Sequence, residues 1–153
     1  MDQVELDAEL VVASETCKRA GTPTRTASDD TPLSILIVED EALVASYIAA
    51  VLRQSGYSVA GMAASGTEAL SLADEMRPEL ALVDVRLTGP IDGIEVASRL
   101  QQQFGTRSIF LSGLMDAATR RRAQAEAHPL GFLHKPFRPS QVFNAIEEAL
   151  GSP

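Results

Sequence analysis

The sequence predicts an α/β protein built on a doubly wound sheet of five parallel strands, with helices on both faces. Three observations carry this prediction. Short apolar runs alternate with longer segments of helical periodicity, the pattern of strand–helix–strand crossovers. The central run, Leu80-Ala81-Leu82-Val83, is continuously apolar rather than alternating, as in a strand buried on both faces. Ser55-Gly56, Pro78 and Pro136 punctuate the junctions between segments.

Residues 1–32 read as an N-terminal extension and linker. Val4, Ala8, Val11 and Val12 fall at helical spacing, which fits a short docking helix or an unstructured tail, since isolated helices of this length are marginal. Gly21 to Pro32 is rich in Thr, Ser, Asp and Pro, a linker composition. The regular pattern occupies 33–150. Ser34-Ile35-Leu36-Ile37-Val38 is a buried strand. Glu41 to Ser55 is a helix carrying Leu43, Tyr47, Ile48, Val51 and Leu52 on one face, ended by Ser55-Gly56. Ser58 to Ala63 is a weaker strand. Ser65 caps the next helix, with Glu68 three residues on as a capping box, and the helix runs to Met76 before Pro78.

The Leu80 strand ends in Asp84-Val85. The loop Arg86-Leu87-Thr88-Gly89-Pro90 follows, and Asp92 caps a helix from Gly93 to Phe104. Ser108 to Ser112 is a fourth strand. Asp116 to Ala127 is a polar helix with little apolar stripe, expected to be the most loosely packed element. Gly131-Phe132-Leu133-His134 is a fifth strand. Pro139-Ser140 opens the last helix, Gln141 to Leu150, with Val142, Ala145, Ile146 and Leu150 inward. Residues 151–153 are a short tail, so a single domain is expected.

Composition excludes several function classes. The chain has 153 residues and a formal net charge of -8, which disfavours direct contact with nucleic acid or an anionic membrane surface. One cysteine, Cys17, excludes an internal disulfide and a Cys-rich zinc site. No apolar run approaches the roughly 18 residues of a bilayer span, and the start lacks the basic region of a signal peptide. A cytoplasmic protein is the expectation.

Chemistry gathers at the strand ends. Alone, Asp84 reads equally as a site carboxylate or as a cap of the next turn. The first strand, however, ends in Glu39-Asp40, the fourth in Ser112 and the fifth in His134-Lys135. In a doubly wound sheet these ends share one edge. Three clustered carboxylates repel one another and need a cation. Lys135 compensates one, and oxygen-only ligands suit magnesium for the rest. A carboxylate beside a metal, a lysine and a hydroxyl is equipped to accept a phosphoryl group, with Asp84 as nucleophile.

At this point the chain resembles the receiver domain of bacterial two-component response regulators. The resemblance covers 33–150 and rests on Ile37-Val38-Glu39-Asp40-Glu41, Leu82-Val83-Asp84, Phe110-Leu111-Ser112-Gly113 and Lys135-Pro136-Phe137. It implies a flavodoxin-like three-layer sandwich with strand order 2-1-3-4-5. It also implies that Asp84 is the phosphoacceptor. Asp40 would ligate magnesium (or manganese) directly, Glu39 through water, and Asp84 and the backbone carbonyl of Arg86 would complete the protein ligands. Ser112 would hydrogen-bond the phosphoryl group and Lys135 would pair with it. Phe132 matches the aromatic switch position. The implied partners are a sensor histidine kinase or phosphotransfer protein and a separate output protein. The protein would be no enzyme for a foreign substrate, but a phosphoacceptor in its own metal-dependent phosphorylation and dephosphorylation. Arg120, Arg121 and Arg122 on the fourth helix, opposite Glu147 and Glu148 on the last, allow a homodimer through the face of the fourth helix, fifth strand and fifth helix. The alternative is a receiver-like docking or dimerisation module that is never phosphorylated.

Three departures from the family pattern stand out. The loop after Asp84 is one residue longer and its proline is displaced to Pro90; because the insertion lies past Arg86, the metal site is expected to survive. Phe132 lacks a hydroxyl, so any switch rests on packing. Gly113 follows Ser112 where alanine is common. Arg86 could reach over the phosphoryl group or stay solvated.

Competing motifs fare less well. Gly61 to Gly66 has P-loop glycine spacing, but Thr67-Glu68 stand where Lys-Ser/Thr is required. A flavodoxin would need a phosphate cradle after the first strand, where Glu39-Asp40-Glu41 would repel it. A nuclease or topoisomerase-type site pairs two Asp on one strand, whereas Val85-Arg86 follow Asp84. His128 and His134 lack ligand spacing.

Overall fold

A computed structural model describes residues 32–151. The N-terminal segment read as a short helix or a tail, Cys17, most of the linker, Ser152 and Pro153 lie outside the described residues. Five strands and five helices alternate: β1 (Ser34–Val38), α1 (Ala42–Gln54), β2 (Ser58–Ala63), α2 (Gly66–Met76), β3 (Leu80–Asp84), α3 (Gly93–Phe104), β4 (Arg107–Ser112), α4 (Ala117–Ala127), β5 (Gly131–His134) and α5 (Pro139–Gly151). All neighbours pair in parallel, in the order β2-β1-β3-β4-β5. This is the predicted 2-1-3-4-5 sheet. The order reverses between β1 and β3, so a crevice opens there at the carboxyl ends.

Alternation along each strand divides the core into two layers. Leu36, Val38, Ala81, Val83 and Phe110 pack with Ala69, Ala73, Ile94, Leu100 and Ala123 of α2, α3 and α4. Ile35, Ile37, Leu82, Ile109 and Leu111 are also fully buried and face the opposite side of the sheet. Because both faces are covered, a charged residue can stand in these strands only at their ends.

Helix starts follow the capping chemistry. The Ser65 hydroxyl accepts from Glu68 N at 3.2 Å, and the Glu68 carboxylate accepts from Ala64 N at 2.9 Å, closing the capping box one residue further out than expected. Asp92 accepts from Glu95 N at 2.9 Å and Asp116 from Thr119 N at 2.7 Å. Gly93 opens α3 where a Cβ would lie 1.9 Å from the Asp84 carbonyl oxygen, so only glycine fits.

Two expectations are corrected. Leu43 and Tyr47 do not join the buried face of α1; they are 87% and 39% exposed. The inward stripe is Ala45, Ile48, Ala49, Val51 and Leu52, because small alanines let the helix lie close on the sheet and turn the larger pair outward. Gly151, read as tail, is the last residue of α5.

Candidate functional site

Parallel register brings the polar strand ends to one level. Val38 pairs with Ala63 and Val83, Asp84 with Leu111, and Ser112 with His134. Glu39, Asp84 and Lys135 therefore project from β1, β3 and β5 into the same crevice. The Lys135 ammonium donates to Glu39 Oε1 at 2.8 Å and to Asp84 Oδ2 at 3.1 Å. Glu39 and Asp84 are buried, while Asp40 is half-buried at the rim.

Electrostatics follow from this placement. Burial drives the Glu39 carboxyl above its usual range, and the bonds from Lys135 and the Glu41 amide offset that only in part. Burial alone would lower the Lys135 ammonium; its bonds to Glu39 and Asp84 outweigh it and hold the group above its ordinary value. One lysine thus serves two buried acids, and Asp40 adds a third negative charge.

The donor set fits a hard divalent cation. One oxygen each of Glu39, Asp40 and Asp84 lies within 4.8 Å of the others. An octahedral magnesium with bonds of about 2.1 Å requires oxygens roughly 3–4 Å apart. A small contraction of the cluster would meet that requirement. The fourth implied ligand, the Arg86 carbonyl, belongs to the residue whose amide donates to Asp84 Oδ1 at 2.9 Å.

Ser112 is buried at the end of β4, and its hydroxyl has no hydrogen-bond partner among the described residues. A buried unsatisfied hydroxyl calls for an explanation. It is available to an incoming acceptor. Ser112 also lines a cavity of about 440 Å³ between the β3–α3 and β4–α4 loops, with Leu87, Ile94, Thr119 and Arg122.

Phe132 packs on Phe110, ring centroids 5.8 Å apart, and the Arg120 guanidinium lies over the Phe132 ring, 4.2 Å from its centroid. Arg86 turns away from the acids: its guanidinium donates to the Leu114 carbonyl at 3.1 Å. Phe137 contacts Tyr47, whose hydroxyl donates to the Phe137 carbonyl at 3.3 Å.

Three contacts have no counterpart in the sequence reading. The Thr88 hydroxyl donates to Asp40 Oδ2 at 3.2 Å, with its amide at 3.4 Å. Arg122 pairs with Asp92 at 2.8 Å and with Glu126 at 3.3 Å. Tyr57 donates to Glu147. The charges read as a self-complementary dimer patch are therefore partly committed within the fold: Arg120 to Phe132, Arg122 to Asp92, and Glu147 to Tyr57. The only sequence cue to Thr88 was a hydroxyl in the loop beyond Asp84.

Fold and site together define a doubly wound α/β protein with an acidic, lysine-bridged crevice at its topological switch point. Residues 35–147 match the response regulator receiver domain, and the chain belongs to that family of signalling proteins. The transcriptional regulatory protein PdtaR of Mycobacterium tuberculosis is 35% identical over 128 residues, covering 84% of this chain and 62% of PdtaR. The phyllosphere-induced regulator PhyR of Methylorubrum extorquens is 31% identical over 148 residues, covering 96% of this chain and 53% of PhyR. The chain thus spans less than two thirds of either relative. Among solved structures, the signal receiver domain of a modulated diguanylate cyclase from Desulfovibrio desulfuricans is 38% identical with a TM-score of 0.73, covering 79% of this chain and 94% of that one. No helix among the described residues is long and apolar enough to cross a membrane.

Proposed function

We propose that this chain is a cytoplasmic single-domain response regulator that receives a phosphoryl group on Asp84 from a sensor histidine kinase or phosphotransfer protein. Residues 33–150 act as the receiver, and 1–32 as its extension. The observation that carries this reading is the bridging Lys135 ammonium between Glu39 and Asp84, beside a third carboxylate on Asp40. Asp40 and Asp84, with the Arg86 carbonyl, would hold a magnesium (or manganese) ion, and Glu39 would assist through water. Bound there, the ion would supply positive charge to the oxygens of the transferring phosphoryl group. Asp84 attacks phosphorus while the bond to the donor breaks. Lys135 then exchanges its Asp84 bond for a phosphoryl oxygen, and the unpartnered Ser112 hydroxyl donates to another.

Output runs by protein contact. Drawing Ser112 toward Asp84 shifts the β4–α4 loop, and Phe132 re-packs against Phe110, a two-state packing element biased by local charge. The face of α4, β5 and α5 then meets a separate output protein or a second copy. Leu114, 86% exposed, supplies apolar area at its edge, and the committed arginines favour the hetero-partner. The net charge of -8 supports a role without direct nucleic acid or membrane contact.

The test is incubation with a small phosphodonor and magnesium, followed by mass spectrometry. One phosphate on Asp84, lost in Asp84→Asn and without divalent cation, is expected. Labelling of Asp84→Asn at the wild-type level would overturn the assignment.

A further inference from the structure

Both oxygens of Glu39 and of Asp84 are engaged: Oε1 and Oδ2 by Lys135, Oε2 by the Glu41 amide, Oδ1 by the Arg86 amide. Asp40 differs. Its Oδ2 accepts from the Thr88 hydroxyl and amide, and its Oδ1 has no donor among the described residues. Asp40 is therefore the carboxylate whose grip on a cation, by one oxygen or by two, is biased by a single residue, with the Thr88 hydroxyl as the shorter of its two donors.

Thr88 is held there by its loop. Leu87 is buried in the core on one side of it. On the other, Gly89 turns with φ +111, Ile91 packs onto Gly66 and Gly93 N bonds the Val85 carbonyl at 3.2 Å. The strap is thus anchored at both ends, with Thr88 across the rim of the acidic crevice.

We propose that Thr88 is a specificity-determining residue of the cation site: its bonds to Oδ2 of Asp40 compete with coordination by that oxygen, disfavour a bidentate grip and so favour magnesium over calcium. Magnesium takes six ligands at about 2.0–2.1 Å from singly bound carboxylates, whereas calcium takes six to eight at about 2.3–2.6 Å and gains from bidentate ones. The proposal rests on the cation reading above and adds to it which ion the site prefers and why.

Calorimetric titration of the full chain with magnesium chloride and with calcium chloride, on wild type, Thr88→Val, Thr88→Ser and Asp40→Asn, separates the two. Thr88→Val keeps the shape and removes the hydroxyl; Thr88→Ser restores it. In Thr88→Val the ratio of the two Kd values should move toward calcium by about threefold or more, the low end of what one hydrogen bond is worth. Thr88→Ser should keep the wild-type ratio. An unchanged ratio in Thr88→Val, an equal loss of both ions, or a Thr88→Ser ratio like that of valine overturns the role of Thr88 alone. If wild type binds neither ion, or Asp40→Asn binds as wild type does, the cation reading fails and takes this proposal with it.

Discussion

Lys135 carries the largest single-residue burden. Its ammonium is the sole cation bonded to Glu39, whose side chain is fully buried, among the described residues. Removing one partner of a buried pair strands the other, which costs about 3 kcal/mol or more. Lys135→Ala should therefore lower stability by about that amount in urea denaturation. Added magnesium should restore part of the loss, because a second cation beside Glu39 and Asp84 replaces the missing charge. A loss below about 1 kcal/mol would mean that water already reaches Glu39 and screens it.

At the level of elements, α4 is the informative one. Its sequence promised loose packing, and only Ala123 and Ala127 are buried. Polar anchors supplement that thin stripe: Arg122 reaches Asp92 at the start of α3, and Arg120 lies over Phe132. Burial pushes the Asp92 carboxyl up, but the Arg122 bonds and the backbone bonds of its cap outweigh that and hold it below its ordinary 3.8. A depressed acid contributes stability that is present above 3.8 and lost as pH falls through the lower folded value. The stability gap between wild type and Arg122→Ala should thus be constant near neutrality and close below pH 3.8. At neutral pH, amide exchange across 117–127 should be faster in the variant. Equal exchange rates would show that the alanines alone hold α4.

How much of this could be read from the sequence follows from the range of the forces involved. The strands, four of the helix caps or starts, and the Glu39, Asp40, Asp84 and Lys135 set were legible because apolar runs and strand ends are local signals. Parallel pairing then brings the ends together without further information. Thr88 to Asp40, Arg122 to Asp92 and Tyr57 to Glu147 were not legible, because they join residues 48, 30 and 90 positions apart. Nothing local marks one member of such a pair for the other. Leu43 misled for a related reason: helical periodicity identifies a stripe, but the close seating that Ala45 and Ala49 allow decides which residues of the helix are buried.

For the whole molecule, the proposed cation site would make ion binding a stability term. A cation that relieves repulsion among three carboxylates binds the folded state and not the unfolded one. The melting temperature should rise across a magnesium titration, and Asp40→Ala should abolish the rise. A flat titration in wild type would argue that Lys135 already neutralises the cluster.

The contact of Gly93 with the Asp84 carbonyl has a mechanical consequence. Helix and strand usually meet through a loop that absorbs small displacements. Here the first residue of α3 bears directly on the backbone of Asp84, the proposed phosphoacceptor. The 12 residues of α3 form a rod about 18 Å long, seated against that carbonyl with no side chain between. A shift of a few tenths of an ångström at the crevice would therefore press first on Gly93 and bias the whole helix, whose far end is capped by Gly105.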